Sequence, residues 1–305
     1  DEKRDTMICV VGSLNMDLVI DYQRIPSVGE TVIGKQFHTI PGGKGANQAV
    51  ACGRLGAETY MLGKVGNDGF ADEVLTSLNE SNVNTKWIQR CSEPTGVAII
   101  SVDEQGGNSI IVAMGANNTV SKEYIVSMKD VLEKSNIIIL QHEIPLTTVE
   151  YIIDCYAGKR KTIVLNPAPA MEVSDHVLSK IDFLIPNEHE IKKISSGISS
   201  DLEGYEPYIQ YYLDKGVKNI IITLGDEGCL HATQKENRKY PARKVAAVDT
   251  TAAGDTFVGA FCAEYERGLN VEQAISFATI ASSVSVTRKG AQTSIPYLYE
   301  IEEML

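Results

Sequence analysis

Val248-Asp249-Thr250-Thr251-Ala252-Ala253-Gly254-Asp255-Thr256-Phe257 joins a strand end, a turn of small residues and a helix that the spacing places over 254–268. Ala252, Ala253 and Gly254 let the backbone approach a ligand closely, because almost no side chain stands in the way. The first amides of a helix lack intrahelical acceptors, and the macrodipole adds about half a positive charge there, so the turn is a site for an anion. Asp255 puts a carboxylate beside that site. A first-turn Asp is ordinarily a complement to the helix dipole. After a nest of small residues it also reads as a base poised next to a phosphoryl group in transfer.

Working outward, the 305 residues are 43% hydrophobic, enough for one large α/β domain, or a domain with an appendage. The net charge of −12 and the pI near 5.0 argue against a nucleic-acid or anionic-membrane partner. A nucleotide bound here must be held by backbone amides, a few cations and metal ions. The six cysteines are scattered with no CxxC pair, which suggests neither a zinc site nor a disulfide framework and fits a reducing cytoplasm. Polar Asp1–Thr6 reads as a flexible leader, not a signal peptide. No apolar run reaches membrane-spanning length.

Strands are expected at 7–12, 59–63, 137–141, 162–166, 183–186 and 219–224, and helices at 43–55, 70–79, 147–157, 188–193, 206–215, 254–268 and 271–287. Past residue 120 the strands are apolar on both faces and alternate with helices, the pattern of a parallel sheet covered on each side. Two segments break the rhythm. Val19–Ile40, with runs at 31–33 and 36–40, and Thr95–Val112, with runs at 97–102 and 109–112, read as hairpin-like β material. They are either a small sheet over the strand ends or a decorative insertion.

Five constellations follow expected strands. Asn15-Met16-Asp17 offers an amide and a carboxylate for vicinal hydroxyls, or is a plain turn. Pro41-Gly42-Gly43-Lys44-Gly45-Ala46-Asn47-Gln48 resembles a phosphate loop without matching GxxxxGK[ST] or GxGxxG; it serves a polyol or merely starts a helix. Asn187 and Glu190 share a face, suited to ordering water around Mg²⁺ or to an ordinary capping box. Thr223-Leu224-Gly225-Asp226-Glu227-Gly228 binds phosphate or forms a hairpin. Glu143 is a lone carboxylate at a strand end. Each signal alone is modest, but all five would face one edge of one sheet, which makes a site hypothesis.

The runs Gly42–Val50 and Asp249–Phe257 resemble the two signatures of the PfkB carbohydrate kinase family. Gly12–Asp17, Leu165–Ala170, Pro186–Glu188 and Val286–Gln292 add to the resemblance, which extends from Met7 to the C-terminus. It implies a three-layer α/β/α sandwich with a mostly parallel central sheet, a single domain over 1–305. It also implies a small β-sheet lid, formed by about 16–40 and 96–113, through which two copies often pair. The implied reaction is ATP-dependent phosphorylation of D-ribose at O5, giving ribose 5-phosphate and ADP. By resemblance, Asn15, Asp17, Gly43, Lys44, Asn47 and Glu143 bind the sugar, and Asp255 is the base on its primary hydroxyl. The amides of Ala253 and Gly254 form the anion hole. Asn187, Thr223, Gly225 and Gly228 line ATP, Glu190 lies near Mg²⁺ and the phosphates, and Thr279 lies in the adenine pocket. K⁺ sits behind the hole, bound by Asp249 and the backbone at Thr251, Ser285, Arg288 and Gly290, with Ser294.

Deoxyribose is the nearest competing substrate. Asn15 speaks against it, because an amide beside the ring is useful to a 2-hydroxyl. Fructose and nucleosides are more distant alternatives. A non-catalytic sugar sensor on the same fold would have no need of Asp255.

Overall fold

Every residue of the strand Met7–Val11 is apolar and buried. Such a strand needs cover on both faces. Ile8 and Val10 join one hydrophobic cluster with Ala46, Val50, Phe257 and Phe261, while Cys9 and Val11 join another with Ile125, Leu132, Ile152 and Tyr208. The computed structural model describes residues 7–104, 108–195, 197–198, 202–268 and 270–304. The polar leader Asp1–Thr6 and part of the turn after Asp103 lie outside the described residues.

Met7–Val11 sits inside a nine-stranded sheet. From one edge the order is Val83–Asn84, Glu58–Leu62, Met7–Val11, Ile137–Leu140, Thr162–Leu165, Phe183–Leu184, Asn219–Thr223, Cys229–Ala232 and Asn237–Tyr240. The run from Val83 to Thr223 is parallel, and the last two strands are antiparallel. Helices Lys44–Arg54, Gly69–Glu80, Ala253–Gly268 and Val271–Ser285 cover one face; Leu146–Tyr156, Glu188–Ile194 and Glu206–Asp214 cover the other. The result is the expected three-layer α/β/α sandwich. The crossover after Met7–Val11 uses the Lys44 helix on one face, and the crossover after Ile137–Leu140 uses the Leu146 helix on the other. These two strands are neighbours, so their outgoing connections diverge and open a crevice at the carboxyl edge.

A second sheet has the order Gln36–Gly42, Asn15–Asp21, Gly96–Val102, Asn108–Ala113. Side chains alternate across it. Asn15, Asp17 and Val19 lie on the buried face, while Ile20, Phe37, Ile99 and Ile111 share the outer, exposed one.

Three expectations are corrected. Thr31–Ile33 is not a strand: it lies in the connection between Asp21 and Gln36, with Ile33 exposed and no partner strand beside it among the described residues. Asn15-Met16-Asp17 does not trail the first strand as a turn; it opens a strand of the second sheet. Of the edge strands Cys229–Ala232 and Asn237–Tyr240, the first completes the hairpin that was one reading of Thr223–Gly228, and the second (Asn-Arg-Lys-Tyr) was not anticipated, because it is polar, mostly exposed and lacks apolar alternation.

Candidate active site

Gly43 has φ of +90°, and a Cβ on it would lie 2.9 Å from the Asn15 nitrogen and 3.0 Å from the Ser13 oxygen. Only glycine makes this turn without strain. The turn starts the Lys44–Arg54 helix, whose first amides are already satisfied. Lys44 N–H donates to Glu143 Oε2 at 3.0 Å, Gly45 N–H to Ser13 Oγ at 3.2 Å and Ala46 N–H to the Ser13 carbonyl at 2.9 Å. The Ser13 hydroxyl also donates to Glu143. A carboxylate of the protein therefore occupies the place a phosphate would take. The glycine loop is a helix start that presents polar side chains. Glu143, a lone strand-end carboxylate in the sequence, is half-buried and anchors it.

The Lys44 helix packs against the Ala253–Gly268 helix at Gly259, where an added Cβ would overlap the Ala51 Cβ. That close approach brings Asn47 and Gln48 to Asp255, which is 6% exposed. Asn47 Nδ2 donates to Asp255 Oδ2 and Gln48 Nε2 to Asp255 Oδ1, both at 3.0 Å. Burial opposes the charge on Lys44, but Asp255, Glu143, Glu190 and Asp17 outweigh it and raise its pKa. Asp17 is pushed up to about 7, by burial first and then by Glu143 and Asp255. Burial also raises Glu190, against the N–H of Asn187 and the Lys44 charge. Asn15 Oδ1 accepts from Asn117 Nδ2 at 2.7 Å, which leaves the Asn15 amide nitrogen as the group to offer a ligand.

Asp255 lines a cavity of about 150 Å³ with Lys44, Asn187, Glu190, Thr251 and Gly254. A cleft of about 560 Å³ adjoins it, lined by His189, Gly225, Gly228, Thr279 and Ser283 among others. Asn187, Thr223, Thr250 and Gly254 belong to both, so the two lie side by side. The larger volume is that of a nucleotide-sized ligand site. Gly254 stands at the junction, and a Cβ there would meet no atom within 4 Å. Ala253 N–H, by contrast, donates to the Thr250 carbonyl at 3.2 Å. Asn187 and Glu190 do form a capping box: Asn187 Oδ1 accepts from His189 and Glu190 N–H, and Glu190 Oε2 from Asn187 N–H. Both also line the small cavity, so the structural and ligand-facing readings coexist. Gly225 and Gly228, at φ +59° and +96°, make the hairpin into Cys229–Ala232 and face the cleft as well.

Asp249 ties two loops together. Its Oδ1 accepts from the Thr251 amide and hydroxyl, and its Oδ2 from Gly290 N–H at 2.9 Å. Burial would raise its pKa, but these bonds prevail and lower it. Ser285 and Ser294 hydroxyls bond to the Ser282 and Ala291 carbonyls, and the Arg288 side chain pairs with Glu300. Those three residues thus have only backbone groups or a second lone pair to offer a cation.

Sequence reasoning missed Ser13, Gln48, Asn117 and Asn166, all buried polar residues of this floor. Ser13, Gln48 and Asn166 were within the recognised runs, and their polarity in an apolar context was the available signal. It also missed the cleft wall from Ala242 to Ala247, which has no periodicity to read.

A carboxylate held by amide donors, beside a helix N-terminus that opens on a nucleotide-sized cleft, suits phosphoryl transfer to a small alcohol. The fold and floor thus define a small-molecule kinase on an α/β/α sheet. The chain belongs to the pfkB family of carbohydrate kinases, whose model matches residues 5–298. It is 40% identical over 306 residues to a ribokinase of Schizosaccharomyces pombe, covering 97% of this chain and 96% of that one. It is 37% identical over 301 residues to a deoxyribokinase of Salmonella typhimurium, covering 98% of each. Among solved structures, ribokinase from Thermotoga maritima superposes with a TM-score of 0.91 at 38% identity, covering 97% of this chain and 98% of that one. Arabidopsis thaliana ribokinase complexed with ribose and ATP does so with a TM-score of 0.89 at 29% identity, covering 98% and 97%.

Proposed function

We propose that this chain transfers the γ-phosphoryl group of ATP to O5 of D-ribose, giving D-ribose 5-phosphate and ADP. The observation that carries the proposal is buried Asp255, pinned by Asn47 and Gln48 and lining a cavity that shares a wall with the large cleft. The sugar lies over Asn15, Asp17, Gly43, Lys44, Asn47 and Glu143, with the second sheet as its lid. Asp255 takes the O5 proton as the phosphoryl group arrives. The amide of Gly254 and, once its bond to Thr250 opens, that of Ala253 hold the developing negative charge. Such a base contributes roughly 10²–10⁴-fold and each such donor about 3–4 kcal/mol. ATP lies along Asn187, Thr223, Gly225 and Gly228, with adenine toward Thr279. Lid closure excludes water that would otherwise hydrolyse ATP.

Among the described residues no group of three or more His, Cys, Asp or Glu side chains could hold a metal. Mg²⁺ therefore depends on the nucleotide phosphates and water, with Glu190 beside them, which suits an ion that keeps several waters. Bound there, it neutralises phosphate charge. The all-oxygen set of Asp249 with the backbone of Thr251, Ser285, Arg288 and Gly290, and Ser294, fits K⁺, which would polarise the anion hole from behind. The exposed apolar face with Phe37, Ile99 and Ile111 supports pairing of two lids in a homodimer. No described helix is long and apolar enough to cross a membrane. Six free cysteines support a reducing cytoplasm as the setting.

Deoxyribose is the second reading, favoured by the deoxyribokinase relative. The Asn15 amide, its nitrogen left free by Asn117, favours a substrate with one more hydroxyl. A coupled assay of ADP release across pentoses and hexoses tests both. We expect D-ribose to give the highest kcat/KM, and equal values for ribose and 2-deoxyribose would refute the specificity.

A further inference from the structure

We propose that Gln48 is a positioning residue for the base, an inference that rests on the reading above that Asp255 takes the sugar proton. Gln48 is fully buried and lines neither cavity, so it acts through its neighbours, of which Asp255 carries the chemistry. Three of the four hydrogen-bonding positions of its amide are used, both donors among them. Nε2 donates to Asp255 Oδ1 at 3.0 Å and to Asn166 Oδ1 at 3.1 Å, and Oε1 accepts from Gln141 Nε2 at 2.7 Å.

The direction of this chain is set from its far end. Asn166 Nδ2 donates at 2.8 Å to the Ile185 carbonyl, a group that can only accept. Asn166 must therefore turn its oxygen to Gln48, and Gln48 must turn its nitrogen to Asn166. The second N–H of that nitrogen then points at Asp255 Oδ1. A backbone carbonyl at a strand end thus dictates, through two side-chain amides, that Oδ1 is an acceptor. With Asn47 on Oδ2, the carboxylate plane is pinned at two points, and its remaining lone pairs are left for the substrate proton. Residues from the Lys44 helix, the Ala253 helix and the ends of three strands meet in this wire, which gives the base a rigid support.

The test is Gln48→Met, which keeps the bulk and removes both donors. Turnover is measured per D-ribose-binding site counted by calorimetry, so that misfolded protein does not enter the rate. We expect kcat to fall about 10- to 100-fold, the usual penalty for a misaimed catalytic group. Ribose KM should stay within about threefold, since Gln48 touches no substrate. A kcat within about threefold of the parent overturns the inference. If Gln48→Met does not fold, Gln48→Glu keeps the shape and sets a second carboxylate against Asp255. Its kcat relative to the parent should be low at pH 8 and recover toward pH 6, as the new carboxyl gains a proton to donate. Lys44, Asp17 and Glu190, the other charged groups that interact with Asp255, are common to both proteins. Parent-like turnover of Gln48→Glu at pH 8 overturns the inference. An active Asp255→Asn would remove the base itself, whereas an inactive Asp255→Asn beside a fully active Gln48→Met removes only the role of Gln48.

Discussion

Asp255→Asn keeps the size of the side chain and removes its basicity, and the surrounding amides dictate how the fold receives it. Both carboxylate oxygens accept an amide N–H, from Gln48 and from Asn47. The new amide nitrogen must face one of these donors. Gln48 cannot reverse, because Asn166 and the Ile185 carbonyl hold its direction. Asn47 can reverse, because its own Oδ1 is buried without a hydrogen-bond partner. After that flip Asn47 accepts from the new nitrogen and Gln48 donates to the new oxygen, and one buried Asn47 atom stays unpaired as before, its nitrogen in place of its oxygen. The cost in stability is then about 1 kcal/mol or less, on the order of one neutral hydrogen bond. For a chain of this size that is a Tm shift of about 2–4 °C at most. Turnover should fall by roughly 10²–10⁴-fold through loss of the base. That is about 3–5 kcal/mol of barrier. The assay couples ADP release to NADH oxidation at saturating ribose and MgATP, with thermal melts and calorimetric ribose binding on the same protein. Turnover within about tenfold of the parent would refute the role of Asp255. A Tm loss above about 10 °C would refute the amide flip.

Gly254→Ala should fold with an unchanged or slightly raised Tm, because its Cβ meets open space, yet lose about tenfold or more in kcat/KM for ATP as the methyl enters the anion site; an unchanged kcat/KM would place the phosphate elsewhere. Asp17 has a folded pKa of about 7, raised above its ordinary value by burial and then by Glu143 and Asp255. A raised carboxyl stabilises the fold most when protonated, and that contribution is lost as pH climbs to about 7. The Tm of ligand-free Asp17→Asn should therefore gain on the parent between pH 4 and 7 and hold its lead above; a constant gap in melts from pH 4 to 8 would contradict this. At equal ionic strength and fixed Mg²⁺, K⁺ should support faster turnover than Na⁺, and Asp249→Asn should erase the difference. Equal rates of the parent enzyme in both salts would remove the cation site.

The sequence by itself determined the layers and the chemistry of the two signature loops. Strands such as Met7–Val11 and Ile137–Leu140 are apolar on both faces, and a strand with no polar face requires helices on each side whatever its neighbours are. The turn before Asp255 and the turn at Gly43 were legible because small residues act on the backbone within a few positions. Partnership was decided only by the tertiary structure. Gln48 and Asp255 are 207 residues apart, Ser13 and Glu143 are 130 apart, and Asn15 and Asn117 are 102 apart. No periodicity encodes those separations; strand order and the contact at Gly259 do. The same limit explains why Pro41–Gln48 looked open to a phosphate until Glu143 was found on its amides, and why Thr31–Ile33 looked like a strand. A β-branched run has the propensity, but a strand exists only where a second strand offers its hydrogen bonds.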